Sequence, residues 1–354
     1  MAILLVFVFH YCIISQDDPH WIAAASRLGW TGVDLFFVLS GFLIASQLFE
    51  EINKTQRFSY RNFLIKRSFR ILPAYWFTVA LYFSLPAFHE KEALPPLWKF
   101  LTFTQNFGLN VRYYGTFSHA WSLCVEEHFY LLLPLILLAL LPFPKIFRKA
   151  YWLLPLLLLA VVCLRRHGYS VYNSIPEDGD APLYWYRAIY YPTYCRLDGL
   201  LAGVGLAAIH AFRPLLWNKI ARLGNWHLVF CILTFIFSYI FISDQQSMGG
   251  SVLGFLFVAL GFSFLLLAAT SERCYLYKRR SKATAFIAAI SYTLYLTHKG
   301  VIHLTREWLL PLHVNPTLLL FLCLLASIGA AWLLRMVLEK PFLKWRDQLL
   351  HRFT

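Results

Sequence analysis

The sequence predicts an all-α, polytopic membrane protein with about ten transmembrane helices, and three observations carry that expectation. Of the 354 residues, 59% are apolar, 18% aromatic and only 14% charged, far from the composition of water-soluble domains. Apolar runs of roughly the 20 residues that a bilayer core demands recur along the chain. Finally, 22 of the 32 Lys and Arg residues gather in five short connectors that alternate with arginine-poor ones.

Taken in order, the apolar runs lie near 1–14, 30–49, 69–88, 119–142, 150–164, 188–212, 226–243, 250–270, 284–304 and 314–338. The connectors after the second, fourth, sixth and eighth runs, with the C-terminal tail, hold 6, 3, 3, 5 and 5 basic residues; examples are Lys54 to Arg70, Lys145 to Lys149 and Arg273 to Lys282. The connector Asp244 to Gly250 holds none. By the positive-inside rule both termini are cytoplasmic. The longest outer connectors, near 89–118 and 165–187, are too short for a soluble domain and read as loops or lids, so the expectation is a single membrane domain over 1–354 with none appended.

A net charge of +14 would suggest a nucleic-acid partner if the basic residues formed one solvated face. Here they sit between hydrophobic runs, which accounts for them and excludes that class. The seven cysteines are scattered without a CxxC pair, so they read as buried small hydrophobes. No internal repeat or cleavable signal peptide is visible, whereas an inverted-repeat transporter would show paired segments broken by Gly or Pro.

Ionisable residues inside the apolar runs are costly, at least about 2.5 to 3.5 kcal/mol each on insertion scales, so each needs a partner, a cavity or an interface. His10, Asp34, Glu126, Glu127, Arg196, Asp198 and His298 are such residues. Asp34, Glu126 and Arg196 fall within the first turns from the outer end of their runs, and His298 lies in the outer half of its own, so with His10 five segments bring polar chemistry to one depth. Asp34 alternatively caps a helix start, Arg196 and Asp198 alternatively pair as structural glue, and a lone His298 alternatively serves as a hydrogen-bonded core histidine. His10 and Glu126 each sit in a stretch that is otherwise largely apolar, which favours function.

A histidine and a carboxylate in a desolvated pocket form a general-base pair, the carboxylate holding the imidazole as it takes a proton. That pair suits acyl transfer to a hydroxyl, and it equally suits a transporter or glycan flippase coupled to protons. Arg67 and Arg70, three residues apart at the cytoplasmic mouth of the third run, share a helical face and form a candidate phosphate clamp; ordinary positive-inside anchoring is the alternative.

Several strings in order resemble the acyltransferase 3 family of integral membrane acyltransferases. They are Phe9-His10, Gly32-Val33-Asp34-Leu35-Phe36-Phe37 through Ile44, Arg67-Ser68-Phe69-Arg70, Trp121-Ser122-Leu123-Cys124-Val125-Glu126-Glu127, Arg196-Leu197-Asp198-Gly199, Ser291 through His298, and Glu339-Lys340-Pro341-Phe342. The resemblance implies a ten-helix protein of the bacterial inner membrane. Such a protein moves an acyl group, usually acetyl, from cytoplasmic acyl-CoA to a hydroxyl of an extracytoplasmic glycan or lipid-linked sugar, such as O-antigen, exopolysaccharide or peptidoglycan. It implies no metal. Carried over by residue, His10 is the base or acyl relay, Glu126 its acidic partner, and Arg67 with Arg70 serve CoA. Acceptor transfer belongs to this domain or to a separate periplasmic partner. The family pattern also places a basic residue upstream of the histidine, at a position ahead of Met1, so a longer native N-terminus is expected.

Overall fold

The structure, a computed structural model, describes all residues except 16–18, 20, 23–25, 92, 148–149, 177–180, 280 and 352–354. The described residues are mostly helical, with no strand among them. Ten helices stand where the apolar runs predict them: α1 (Ala2–Ile14), α2 (Gly32–Thr55), α3 (Tyr60–Ser84), α4 (Trp121–Leu140), α5 (Leu153–Tyr172), α6 (Asp198–Phe212), α7 (Trp226–Ile242), α8 (Phe255–Thr270), α9 (Lys282–Leu309) and α10 (Pro316–Leu334). A further amphipathic helix, α11 (Lys340–His351), follows α10.

Among the described residues, five helices are long and apolar enough to cross a membrane, at Gly29–Thr55, Ser118–Leu140, Leu153–Tyr172, Gly250–Thr270 and Pro316–Leu350. A sixth arises if α6 and the short helix Pro214–Ala221, bent by 113°, form one span. Helices α1 and α7 are apolar but shorter, and α3 and α9 carry charges inside their length, such as Arg67, Arg70, Lys299 and Arg306. The exterior is oily: Leu132 and Leu135 on α4, Leu156 and Leu159 on α5, Ile236 and Ile240 on α7, and Leu325 on α10 are all exposed. Such apolar exteriors suit lipid rather than water.

Three boundaries move for a physical reason. Helix α6 starts at Asp198 rather than near 188, because Pro192 has no amide hydrogen to continue a helix and the chain ahead of α6 forms only the short turns Tyr186–Tyr190 and Thr193–Cys195. Helix α3 starts at Tyr60 rather than near 69, capped by the Ser59 hydroxyl, which accepts from the Asn62 amide at 3.2 Å. Arg67 and Arg70 therefore lie inside the helix, not at its mouth. Helix α5 continues past residue 164 to Tyr172 because Arg165, fully buried, ends on Asp198. All seven cysteines are free thiols. Five are buried as expected, but Cys163 is exposed on the apolar exterior of α5 and Cys12 is half-buried.

Helices α2 and α6 cross most closely. A side chain added at Gly203 would meet the Val38 carbonyl and the Phe42 amide, and one at Gly41 would meet the Leu200 backbone. Gly199 and Gly203, four residues apart, open the α6 face that allows this approach, the small-residue device of membrane helix pairs. The crossing sets Asp34 on α2 beside Arg196, just ahead of α6.

Candidate functional site

The end of the bundle that carries the segments 93–120 and 181–197 holds a cavity of about 510 Å³. Histidines form one side of it. His10 comes from the last turns of α1, and His119 from the turn Ser118–Ala120 that leads into α4. His298, on α9, stands behind them and is fully buried. Their ring centres are 4.9 Å apart for His10 and His298, 4.9 Å for His119 and His298, and 5.6 Å for His10 and His119.

Hydrogen bonding assigns the tautomers. His298 Nδ1 faces two backbone carbonyls, Tyr295 at 2.9 Å and Leu294 at 3.1 Å. Carbonyls only accept, so this nitrogen carries the proton and donates. With both rings neutral, His298 Nε2 is an acceptor, and it receives the Nδ1 proton of His10 at 2.9 Å. The lone pair of His10 then lies on Nε2, the nitrogen a base or nucleophile must use.

Glu126 is held elsewhere. Its carboxylate accepts from the Ser40 hydroxyl at 3.0 Å and from the Tyr130 hydroxyl at 2.9 Å. No hydrogen bond joins it to His10 among the described residues; His298 occupies that role instead. Ser122, whose hydroxyl shares a hydrogen bond with that of Tyr295, lies four residues before Glu126, so the carboxylate sits one turn, about 6 Å, further along α4. Tyr130 also lies under the Arg67 guanidinium at 5.8 Å. Arg67 donates to Gln47 at 2.8 Å and stays electrostatically close to both Glu126 and Glu127. Arg70, one turn on, is exposed. Glu126 thus connects the arginine region with the level of the histidines.

Asp34, Arg196 and Asp198 form a buried ionic frame. Arg196 pairs with Asp34 at 2.7 Å, and Arg165 with Asp198 at 2.9 Å, all four fully or nearly fully buried. The Arg196 guanidinium is also stacked 4.7 Å from the Tyr190 ring and 5.2 Å from the Trp121 ring. Both rings line the cavity, so the frame fixes its aromatic wall. Tyr186 and Tyr191 extend that wall, with their rings stacked at 5.6 Å across the π-turn Tyr186–Tyr190. Such π-turns concentrate at functional sites.

Sequence reasoning missed Arg165, His119, and the buried pair of Lys299 with Glu90 at 2.7 Å. Arg165 and Lys299 are basic residues inside or at the end of apolar runs, and that was a usable signal. Among the described residues no group of three or more His, Cys, Asp or Glu is arranged to hold a metal.

Comparison with known proteins agrees with this architecture. The acyltransferase domain family matches residues 1–336. A peptidoglycan O-acetyltransferase, OatA, of Listeria monocytogenes is 30% identical over 334 residues, covering 86% of this chain and 48% of its own length. The O-acetyltransferase OatA of Staphylococcus aureus is 25% identical over 363 residues, covering 96% of this chain and 56% of its own length. The chain therefore spans about half the length of the curated relatives it matches. No solved structure matches it. With the family match running through nearly every helix, the chain is a multi-pass membrane protein belonging to the acyltransferase 3 family.

Proposed function

We propose that this chain transfers an acyl group, acetyl in the first instance, from cytoplasmic acyl-CoA to a hydroxyl of an extracytoplasmic glycan. The observation that carries the reading is the His10–His298 hydrogen bond beside a cavity, which leaves His10 Nε2 with a free lone pair. His10 is the base or acyl relay, and His298 holds its ring. Arg67 and Arg70 engage the CoA phosphates from the opposite end of the bundle, where the positive-inside pattern puts the cytoplasm. Glu126 and Tyr130 lie on the path between them, with Glu127 electrostatically close to Arg67. In this reading the protein sits in a bacterial inner membrane with both termini cytoplasmic. The acceptor is a cell-envelope polymer, and the name of the Listeria relative supports peptidoglycan. A separate periplasmic partner that finishes acceptor transfer is compatible with this layout.

The test uses purified protein in lipid nanodiscs, mixed with acetyl-CoA. Release of free CoA that is lost in the Arg67→Gln/Arg70→Gln variant is the expected result. A folded wild-type protein that neither binds acetyl-CoA nor releases CoA would exclude the donor assignment.

A further inference from the structure

The cavity contains a second histidine, His119, beside His10. His119 is only 2% exposed, yet neither of its ring nitrogens has a hydrogen-bond partner among the described residues. The Leu296 carbonyl comes near the ring without reaching hydrogen-bond geometry. Its own backbone, by contrast, is firmly held: the His119 carbonyl accepts from the Tyr295 hydroxyl at 2.8 Å. Phe117, Tyr295 and His298 pack around the imidazole at centroid distances of 5.0, 5.4 and 4.9 Å. The ring is therefore positioned by its neighbours but not satisfied by them. A buried imidazole with both nitrogens unpaired is costly, and in a native protein such a group calls for an explanation.

The cavity supplies one. His119 lines it together with His10, and the aromatic wall of Trp121, Tyr190 and Tyr191 lines the same space. We infer that His119 is the residue that receives the acceptor's reacting hydroxyl, with the sugar ring lying against that aromatic wall. This assignment rests on the acyl-transfer reading. A neutral imidazole offers one acceptor and one donor, which matches the two faces of a hydroxyl and its neighbouring oxygen. The centres of the His10 and His119 rings are 5.6 Å apart. Both His119 nitrogens are shielded in the structure, so a turn of that ring toward the cavity is what lets one oxygen atom reach a nitrogen of each ring through hydrogen bonds of about 2.9 Å. A hydroxyl held there sits next to the free nitrogen of His10. The volume of about 510 Å³ lies within the range of sites for small organic ligands, roughly 300 to 1,000 Å³. The buried Asp34–Arg196 pair, stacked behind Tyr190 and Trp121, keeps the wall in place.

The experiment separates the donor and acceptor halves. Donor chemistry is read as CoA release from acetyl-CoA by the purified protein with no glycan present, the acetyl group passing from the CoA sulfur to His10 Nε2 or to water and the CoA thiolate taking up a proton. Acceptor chemistry is read as alkali-releasable acetate in envelopes of cells producing each variant, against cells lacking the gene. Thermal unfolding in detergent checks the fold. His119→Gln is expected to keep CoA release within about twofold of wild type while envelope acetate falls about a hundredfold, the scale of one lost acid–base contact. His10→Ala is expected to lose both signals. Wild-type envelope acetate in folded His119→Gln overturns the assignment, and so does loss of both halves, which would put His119 on the donor side. Should His119→Gln fail to fold, His119→Asn replaces it; if neither folds, the residue is structural and the assignment falls. A wild-type protein that shows neither signal contradicts the transferase reading itself, a different failure from one confined to the variant.

Discussion

His10 Nδ1 lies 2.9 Å from His298 Nε2, and the backbone carbonyls of Leu294 and Tyr295 fix the direction of the proton between them. A residue that holds a base by its rear nitrogen acts on turnover more than on donor binding. His298→Phe is therefore predicted to lower the acyl-transfer rate about 10² to 10⁴-fold while leaving acetyl-CoA affinity unchanged. Steady-state kinetics with a parallel binding measurement check this, and an equal loss of affinity would count against a positioning role.

Arg67 and Arg70 share a face of α3, and the Arg67 guanidinium is steadied by Gln47 and the Tyr130 ring. Charge-assisted hydrogen bonds contribute about 1.5 to 3 kcal/mol each. Replacing either arginine with Gln should weaken acetyl-CoA binding by roughly tenfold to a hundredfold. Calorimetric titration of nanodisc-embedded protein measures it, with unfolding temperature as the control.

The buried Asp34–Arg196 pair makes an asymmetric prediction. Removing one partner leaves an uncompensated buried charge and costs about 3 to 5 kcal/mol, whereas replacing both with apolar residues often costs little. Asp34→Ala should thus lower the thermal midpoint in detergent more than Asp34→Leu combined with Arg196→Met. A double variant less stable than the single one would mean that the pair does more than balance charge.

At the α2–α6 crossing, Gly203→Leu is predicted to prevent accumulation of folded protein, because its side chain would enter the α2 backbone at Val38 and Phe42. Gly329→Leu on α10, where an added side chain meets nothing, should be tolerated. Fluorescence-detected size-exclusion chromatography of tagged variants distinguishes the two.

These relationships differ in how visible they are in the sequence. The helices follow from apolar runs because a bilayer makes length and hydrophobicity decisive, and each of the ten runs does contain one. The starts of α3 and α5's end do not follow. Arg61, Lys66 and Arg67 interrupt the apolar pattern although the helix continues, and Arg165 looks like a loop residue until Asp198 is beside it. His10 stands out by its apolar flanks and Glu126 by its place in an apolar run. Their partners do not, since the His10–His298 and Glu126–Ser40 contacts join residues 288 and 86 positions apart. His119 precedes Trp121 in what reads as a loop, and only its burial without a partner distinguishes it.

The central claim is that His10 performs acyl transfer to an envelope glycan. The most direct measurement is mass spectrometry of the surface polymers from cells carrying the wild-type gene, His10→Ala, or no gene, with matched protein levels in the membrane. The account predicts acetylated sugars in the first and their absence in the other two. Undiminished acetylation in cells with well-folded His10→Ala would contradict it.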